Sequence, residues 1–277
     1  MVSFGKGVYI MAIGGLGSLN QINRSNAAIG SSIQKISTGL QRPSAKYGAS
    51  AYSIAARMSS NIGTAAQSQR NTQNANAMLN VAAGGVSSTV NALTSIREQI
   101  LQAANGTNKD SDVATIRDSI QQSVSTINDN ASVEYNGMKL FDGSRSITVA
   151  GDTGYKTINL GNLSSEGLKL TDAQGKLTLD LSSPDGIEKS LETVDSALNS
   201  ALGMATDIGA VQQGLSFSEA NYTTMSESLT ESLSAEDDTD IAAEVTKLRS
   251  AETQNQLALH AQKMFIHNSA QVLSLLP

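Results

Sequence analysis

Few residues of this chain have the types and spacing that chemistry needs. His260 and His267 stand seven apart in a sequence of 277 residues. A helix would aim both the same way, but a helical zinc pair normally sits about four apart and needs a third ligand. Cysteine is absent, which removes thiolate metal sites, disulfides and cysteine nucleophiles. Asn108, Asp110 and Asp112 copy the opening of a calcium loop, yet Val113 stands where that loop needs glycine and Ser119 where it needs glutamate. These residues suit a helix N-terminus better. Glu236-Asp237-Asp238 with Asp240 open a last helix in the same way, since acids complement its dipole. Gly14-Gly15-Leu16-Gly17 has no strand before it and no closing glycine, so it is a poor phosphate loop. Asn105-Gly106-Thr107 and Asn221-Tyr222-Thr223 fit the N-glycosylation pattern, which is frequent by chance. No nucleophile, base and oxyanion donor come together. The sequence therefore points away from an enzyme, with no catalytic residue, no metal and no cofactor.

The elements behind these residues are mostly helical. Leu19, Ile22, Asn26, Ile29, Ile33, Ile36 and Leu40 alternate steps of three and four, a heptad seam broken once, at Asn26. Pro43 ends it. A second helix is predicted from about Ser50 to Ala104, with its clearest seam at Leu79, Ala82, Val86, Leu93, Ile96, Ile100 and Ala103. A third opens near Ser111 and carries Ile116, Ile120, Val124 and Ile127. The centre changes character. Asn136-Gly137 and Asp142-Gly143 are hairpin turn signals, and alternating runs at Ser146–Ala150, Lys156–Leu160 and Lys176–Leu181 read as short strands. Helical spacing returns after Pro184, from Ile187 to Leu215. A last helix carries Ile241, Val245, Leu248, Leu259, Ile266, Leu273 and Leu276, with Glu252, Asn255, Gln262 and Ser269 on the same stripe. A seam that polar would not hold a lone helix in water. The pattern is helix, β insertion, helix, with no compact core expected between the ends. Fibrous assembly and a monomeric helical hairpin with disordered ends both fit it.

Composition and charge narrow the classes. Aromatic residues are only 4%, and Trp is absent, so the usual anchors of pockets and cores are scarce. No apolar run approaches the roughly 18 residues that span a bilayer, and the start lacks the pattern of a cleavable signal. The net charge of −6 conceals a division. Residues 1–109 carry nine Lys or Arg and one acid, Glu98, whereas 185–244 carry thirteen acids and Lys189 alone. The basic residues are too dispersed for a nucleic-acid surface and have no aromatic interleaving. The asymmetry instead predicts that the basic stretch 46–97 lies along the acidic 185–244 segment.

Six ordered blocks carry a family resemblance. Ile36-Ser37-Thr38-Gly39-Leu40, followed by Ala45, Ala49, Ala51, Ile54, Ala55 and Met58, is the first. Leu93, Ile96-Arg97-Glu98, Gln102-Ala103-Ala104-Asn105-Gly106-Thr107 and Ser111-Asp112 form the second, and Tyr135-Asn136-Gly137 with Leu140-Phe141-Asp142-Gly143 the third. Gly209-Ala210-Val211-Gln212, Asp238–Glu244 and Gln271–Leu276 follow near the other end. In order and spacing the chain resembles bacterial flagellin. It departs from the family pattern at Pro43, where an aliphatic residue is usual, at Tyr47-Gly48 in place of an acidic pair, and at Leu233-Ser234 in place of an arginine-containing pair. Met11-Ala12 resembles the family's start, which makes residues 1–10 an extension or a misplaced start.

The resemblance implies a mainly α fold: a long helical bundle or coiled coil built from both chain ends, with a small β insertion in the middle. Residues 1–45 and 240–277 would form a terminal coiled-coil domain in the inner filament core. Residues 46–140 and 185–239 would form a rod-like helical bundle, and 141–184 a small β insertion facing outward. It implies a structural subunit of the extracellular flagellar filament, used for motility and secreted unfolded through the flagellar export apparatus. The implied partners are further copies of the chain in a helical homopolymer, an export chaperone, and cap and hook-junction proteins, with no nucleic acid or membrane. The alternative within the same resemblance is a flagellar hook–filament junction protein. A subunit with an enzymatic insert is disfavoured by the small middle and the lack of an H-E-x-x-H motif. The assembly seam is expected at Ile22, Ile29, Ile33, Ile36 and Leu40, with Leu259, Ile266, Leu273 and Leu276 as mates. The family's face for a host innate immune receptor surrounds Arg97. There it presents an arginine, a leucine and a glutamate at positions that correspond to Ser95, Gln99 and Ser119 here. None of the three supplies the needed group, so weak receptor recognition is expected.

Overall fold

The computed structural model describes residues 3–143, 146–151 and 154–274. Five helices dominate: α1 (Ser3–Thr38), α2 (Ala49–Ala103), α3 (Asp110–Ala131), α4 (Pro184–Asp237) and α5 (Ile241–Ser274). Two antiparallel hairpins lie between α3 and α4: β1 (Glu134–Tyr135) with β2 (Met138–Lys139), and β3 (Ser146–Gly151) with β4 (Gly154–Asn159). The fold is mainly α, as expected.

Helix limits follow from local chemistry. Gly39 ends α1 with a left-handed φ of 73° and donates its N–H to Lys35 O at 2.9 Å, a conformation that glycine adopts without Cβ strain. Pro184 opens α4, where its missing N–H costs nothing. Asp240 caps α5 by accepting the Ala243 N–H at 3.0 Å. The calcium-like acids cap α3 instead: the Lys109 N–H donates to Asp112 Oδ2 at 3.0 Å. Asn108 turns the other way, donating to the Gln102 carbonyl at 2.6 Å near the end of α2.

The described residues divide into two compact units, Met1–Ile62 with Glu227–Pro277, and Gly63–Ser226. The dividing points fall inside α2 and α4, not at the helix ends where the sequence suggested 45/46 and 239/240. The unit spanning 63–226 has a substantial core, which corrects the expectation of no compact core. Leu79, Val86, Leu93, Ile96 and Ile100 of α2 meet Ile116, Ile120, Val124 and Ile127 of α3, and Val194, Ala201, Ile208 and Leu215 of α4. Leu140, Phe141, Leu160, Leu163, Leu168, Leu170, Leu179 and Leu181 complete it. The middle of the chain is thus part of this unit's core as well as its surface. Side chains set one antiparallel register of α2 with α4: Gln69 with Thr223, Gln73 with Glu219, Asn80 with Gln212 and Arg97 with Asp195. The basic stretch therefore does meet the acidic one within this unit.

The β readings are partly corrected. Asn136 and Gly137 turn the first hairpin with φ of 52° and 73°, as a two-residue turn with both φ positive requires. Asp142-Gly143 makes no hairpin; Asp142 forms an isolated bridge to Asn162. The run Lys176–Leu181 pairs only briefly: Leu177 bridges Thr171, the Thr178 N–H donates to Leu170 O at 3.0 Å and the Asp172 N–H to Lys176 O at 2.9 Å. Its alternation reflects Leu179 and Leu181 plugging the core, not a strand ladder.

Candidate functional site

The terminal unit brings the first and last helices together. Helices α1 and α5 run antiparallel, side by side. Gln262 accepts a short hydrogen bond from Ser18, Asn255 Nδ2 donates to Asn26 Oδ1 at 2.8 Å, and Ser32 Oγ donates to Glu244 Oε1 at 2.8 Å. The inward face of α1 is Ser25 and Ser32, both buried, with Ile22, Ile29 and Ile36 half-buried beside them. The inward face of α5 is Glu244, Ala251 and Ala258. This pair is small and polar inside.

Its apolar residues point elsewhere. Ile33 is 51% exposed and Ile266 59%; Leu40 and Leu259 are exposed too. Within one chain these four are not seam mates. Leu16, Leu19, Leu257 and Met264 are likewise exposed. Leu276 and the side chain of Leu273 lie outside the described residues. On the stripe of α5, Asn255, Gln262 and Ser269 face partly inward, whereas Glu252 is exposed. The alternating steps of three and four join two adjacent stripes of one helix, so the expected seam on α1 mixes Ile22, Ile29 and Ile36, which flank the inner face, with Ile33 and Leu40, which are exposed.

Glu244 is the one charged group in the buried part of that seam. Burial works against its ionised form, but the Ser32 hydroxyl and the Lys247 ammonium, 3.0 Å away, outweigh it and hold the carboxyl below the usual glutamate range.

Next to the seam the chain breaks helix twice. The loop after α1 and the turn before α5 join through an isolated bridge between Leu40 and Asp238. The Gln41 N–H donates to Asp237 O at 2.6 Å and the Thr239 N–H to Gly39 O at 2.9 Å. Arg42 closes the joint. Its N–H donates to Asp237 Oδ1 at 3.1 Å and its Nη1 to Glu236 O at 2.6 Å. Its guanidinium also lies 3.3 Å from the Glu236 carboxylate and 3.8 Å from that of Asp237. Asp237 is buried. Beyond Arg42, the Tyr47 ring carries Lys46 at 4.7 Å and Lys35 at 5.9 Å, a cation–π arrangement in place of the acidic pair. Nothing in the residue pattern signals that Arg42 and Asp237 meet.

In the other unit Ser95, Gln99 and Ser119 come together. Gln99 Nε2 donates to Ser119 Oγ at 3.0 Å and Ser95 Oγ at 3.5 Å. Arg97 Nε bonds Asp195 Oδ1 at 2.7 Å on the α4 side. The Gln99 amide and one N–H of Arg97 are thus engaged within the chain.

His260 and His267 are exposed on α5, and no cluster of three metal-ligating residues occurs among the described residues. Gly14–Gly17 lies within α1, so it forms no phosphate loop. No described helix is long and apolar enough to cross a membrane.

A protein made of helices from both chain ends, with a polar inner seam and exposed apolar flanks, has the architecture of a structural module. Residues 15–146 match the bacterial flagellin N-terminal helical region, and 191–276 match the flagellin C-terminal helical region. The chain belongs to the bacterial flagellin family, whose members are structural proteins and not enzymes. It is 36% identical over 155 residues to a flagellin of Escherichia coli O127:H6, covering 54% of this chain but only 28% of that relative's length. It is 25% identical to the Bacillus subtilis (strain 168) flagellin, with 94% of this chain and 95% of that one aligned. The fold is also similar to a putative flagellar hook-associated protein from Vibrio parahaemolyticus, with a TM-score of 0.58 at 18% identity over 69% of this chain and 100% of that one.

Proposed function

We propose that this chain is a subunit that self-assembles into the extracellular flagellar filament used for motility. It would be exported unfolded, with chaperone, cap and hook-junction proteins as transient partners. The observation that carries the reading is the exposed apolar surface on the terminal pair, with Leu16 61%, Ile33 51%, Leu257 65%, Met264 63% and Ile266 59% exposed. A lone chain leaves this surface in water, and copies of the same helices would cover it. The seam residues Ile22, Ile29, Ile33, Ile36, Leu40, Leu259, Ile266, Leu273 and Leu276 act there, in an inner layer of residues 1–45 and 240–277. Residues 46–140 and 185–239 surround it, and 141–184 face outward. The experiment is seeded growth: purified chain added to filament fragments should elongate them, and Ile33→Asp with Ile266→Asp should stop elongation. A chain that caps the fragments or stays monomeric would instead be the hook–filament junction protein. Recognition by a host innate immune receptor through Ser95, Arg97, Gln99 and Ser119 is proposed to be weak.

A further inference from the structure

The seam between α1 and α5 repeats itself. Along α1, serine recurs every seven residues at Ser18, Ser25 and Ser32, and isoleucine at Ile22, Ile29 and Ile36. Along α5, alanine fills successive heptad positions at Ala251 and Ala258, both buried. Sliding one helix by a heptad, about 10 Å, returns nearly the same surfaces to each other. Glu244, which now accepts from Ser32, would find Ser25 in its place. A seam whose inner residues repeat in this way specifies its register weakly, because neither apolar fit nor its one buried charge penalises the slip.

The joint beside it does not repeat as a whole. Its charges recur in type one heptad away, at Lys35 and Glu244, but its backbone bridge does not, because Gln41 with Asp237 and Thr239 with Gly39 pair through chain outside helical geometry at the ends of α1 and α4. The geometry points to the Arg42–Glu236–Asp237 clasp as the register-setting element of the terminal helix pair. Its ion pairs and backbone bridge fix where α1 ends and α5 starts, so the repetitive seam closes from that end in one alignment. Arg42 and Asp237 are thus positioning residues for the surface that α1 and α5 present.

The chain has no cysteine, so register can be read by pairwise thiol crosslinking of the full-length protein with a short bismaleimide. Asn26→Cys with Asn255→Cys reports the observed alignment, because these side chains are hydrogen-bonded at 2.8 Å. Leu19→Cys or Ile33→Cys with Asn255→Cys reports a slip of one heptad in either direction. With the clasp intact, only the first pair should crosslink efficiently. Arg42→Gln with Asp237→Asn should raise a slipped crosslink about tenfold or more, the change that one charge-assisted hydrogen bond can impose. The exchanged pair Arg42→Asp with Asp237→Arg should restore the observed alignment. Amide protection in residues 79–127 serves as the control for folding. Slipped crosslinks that stay low in the neutralised variant would overturn the proposal, as would equal yields of all pairs with the clasp intact. Loss of every crosslink in the neutralised variant, with 79–127 still protected, would overturn it too, since the clasp would then be needed for pairing itself.

Discussion

Ser32→Ala is the sharpest single test of the terminal pair. Glu244 is only 5% exposed, and its carboxylate has two partners: Ser32 at 2.8 Å across the seam, and Lys247 at 3.0 Å on its own helix. Removing the hydroxyl leaves a buried carboxylate with one lysine whose own side chain is 68% exposed. A hydrogen bond to a charged group contributes about 1.5–3 kcal/mol, so separation of α1 from α5 should become about 10- to 100-fold easier. Hydrogen exchange followed by mass spectrometry reads this directly, as faster exchange in peptides covering 22–37 and 244–258 with no change in 79–127. The pH dependence adds a signature. Because the native carboxyl lies below its ordinary range, its contribution is fully present above that range and is lost as pH falls through the lowered native value. Glu244→Gln removes the titrating group, so its protection should vary less with pH there. Unchanged exchange in Ser32→Ala, or parallel pH curves for the parent and Glu244→Gln, would refute the reasoning.

Other substitutions probe the larger unit. Ile120 is fully buried, so Ile120→Ala should cost about 2–5 kcal/mol, measured by urea unfolding. Arg97 and Asp195 are each nearly half exposed, so Arg97→Glu should cost less than about 1 kcal/mol and lose even that at high salt. In a cellular reporter assay for the host receptor, the soluble parent chain should signal weakly. The triple variant Ser95→Arg, Gln99→Leu, Ser119→Glu should signal more strongly, and strong signalling by the parent would show the face was misread.

Legibility in the sequence followed the physics of each element. The helices were plain where large apolar residues repeat, as at Leu79–Ile100 and Ile116–Ile127, because burial there occurs within the chain. The terminal seam was only half legible. Ile22, Ile29 and Ile36 do lie along it, yet Ile33, Leu259 and Ile266 are exposed while Ser25, Ser32 and Ala258 are buried. Hydrophobic residues mark buried surface, but not which chain buries it. The clasp was invisible because Arg42 and Asp237 are 195 positions apart and the segment around Asp237 offers many equivalent acids. Leu177, Leu179 and Leu181 were misassigned to a strand because alternation looks the same whether a segment pairs in a sheet or only lines a core.

That contrast also predicts how the chain melts. Unit 63–226 buries Leu79, Leu93, Ile96, Ile100, Ile120, Ile127, Leu163, Leu170, Ile208 and Leu215 almost completely, each contributing about 1.5–3 kcal/mol of apolar transfer. The terminal pair buries Ser25, Ser32, Ala251 and Ala258, which offer little apolar area and must offset the ordering of two helices of more than thirty residues each. A few hydrogen bonds and one clasp hold that pair without strongly stabilising it. Thermal unfolding of the isolated chain should therefore occur in two steps, with far-UV ellipticity from the terminal helices lost first and the 79–127 core later. Deleting the residues beyond 240 should remove the first step and leave the midpoint of the second nearly unchanged. A single cooperative transition that drops as a whole on that deletion would mean that the polar seam carries far more of the stability than its buried surface implies.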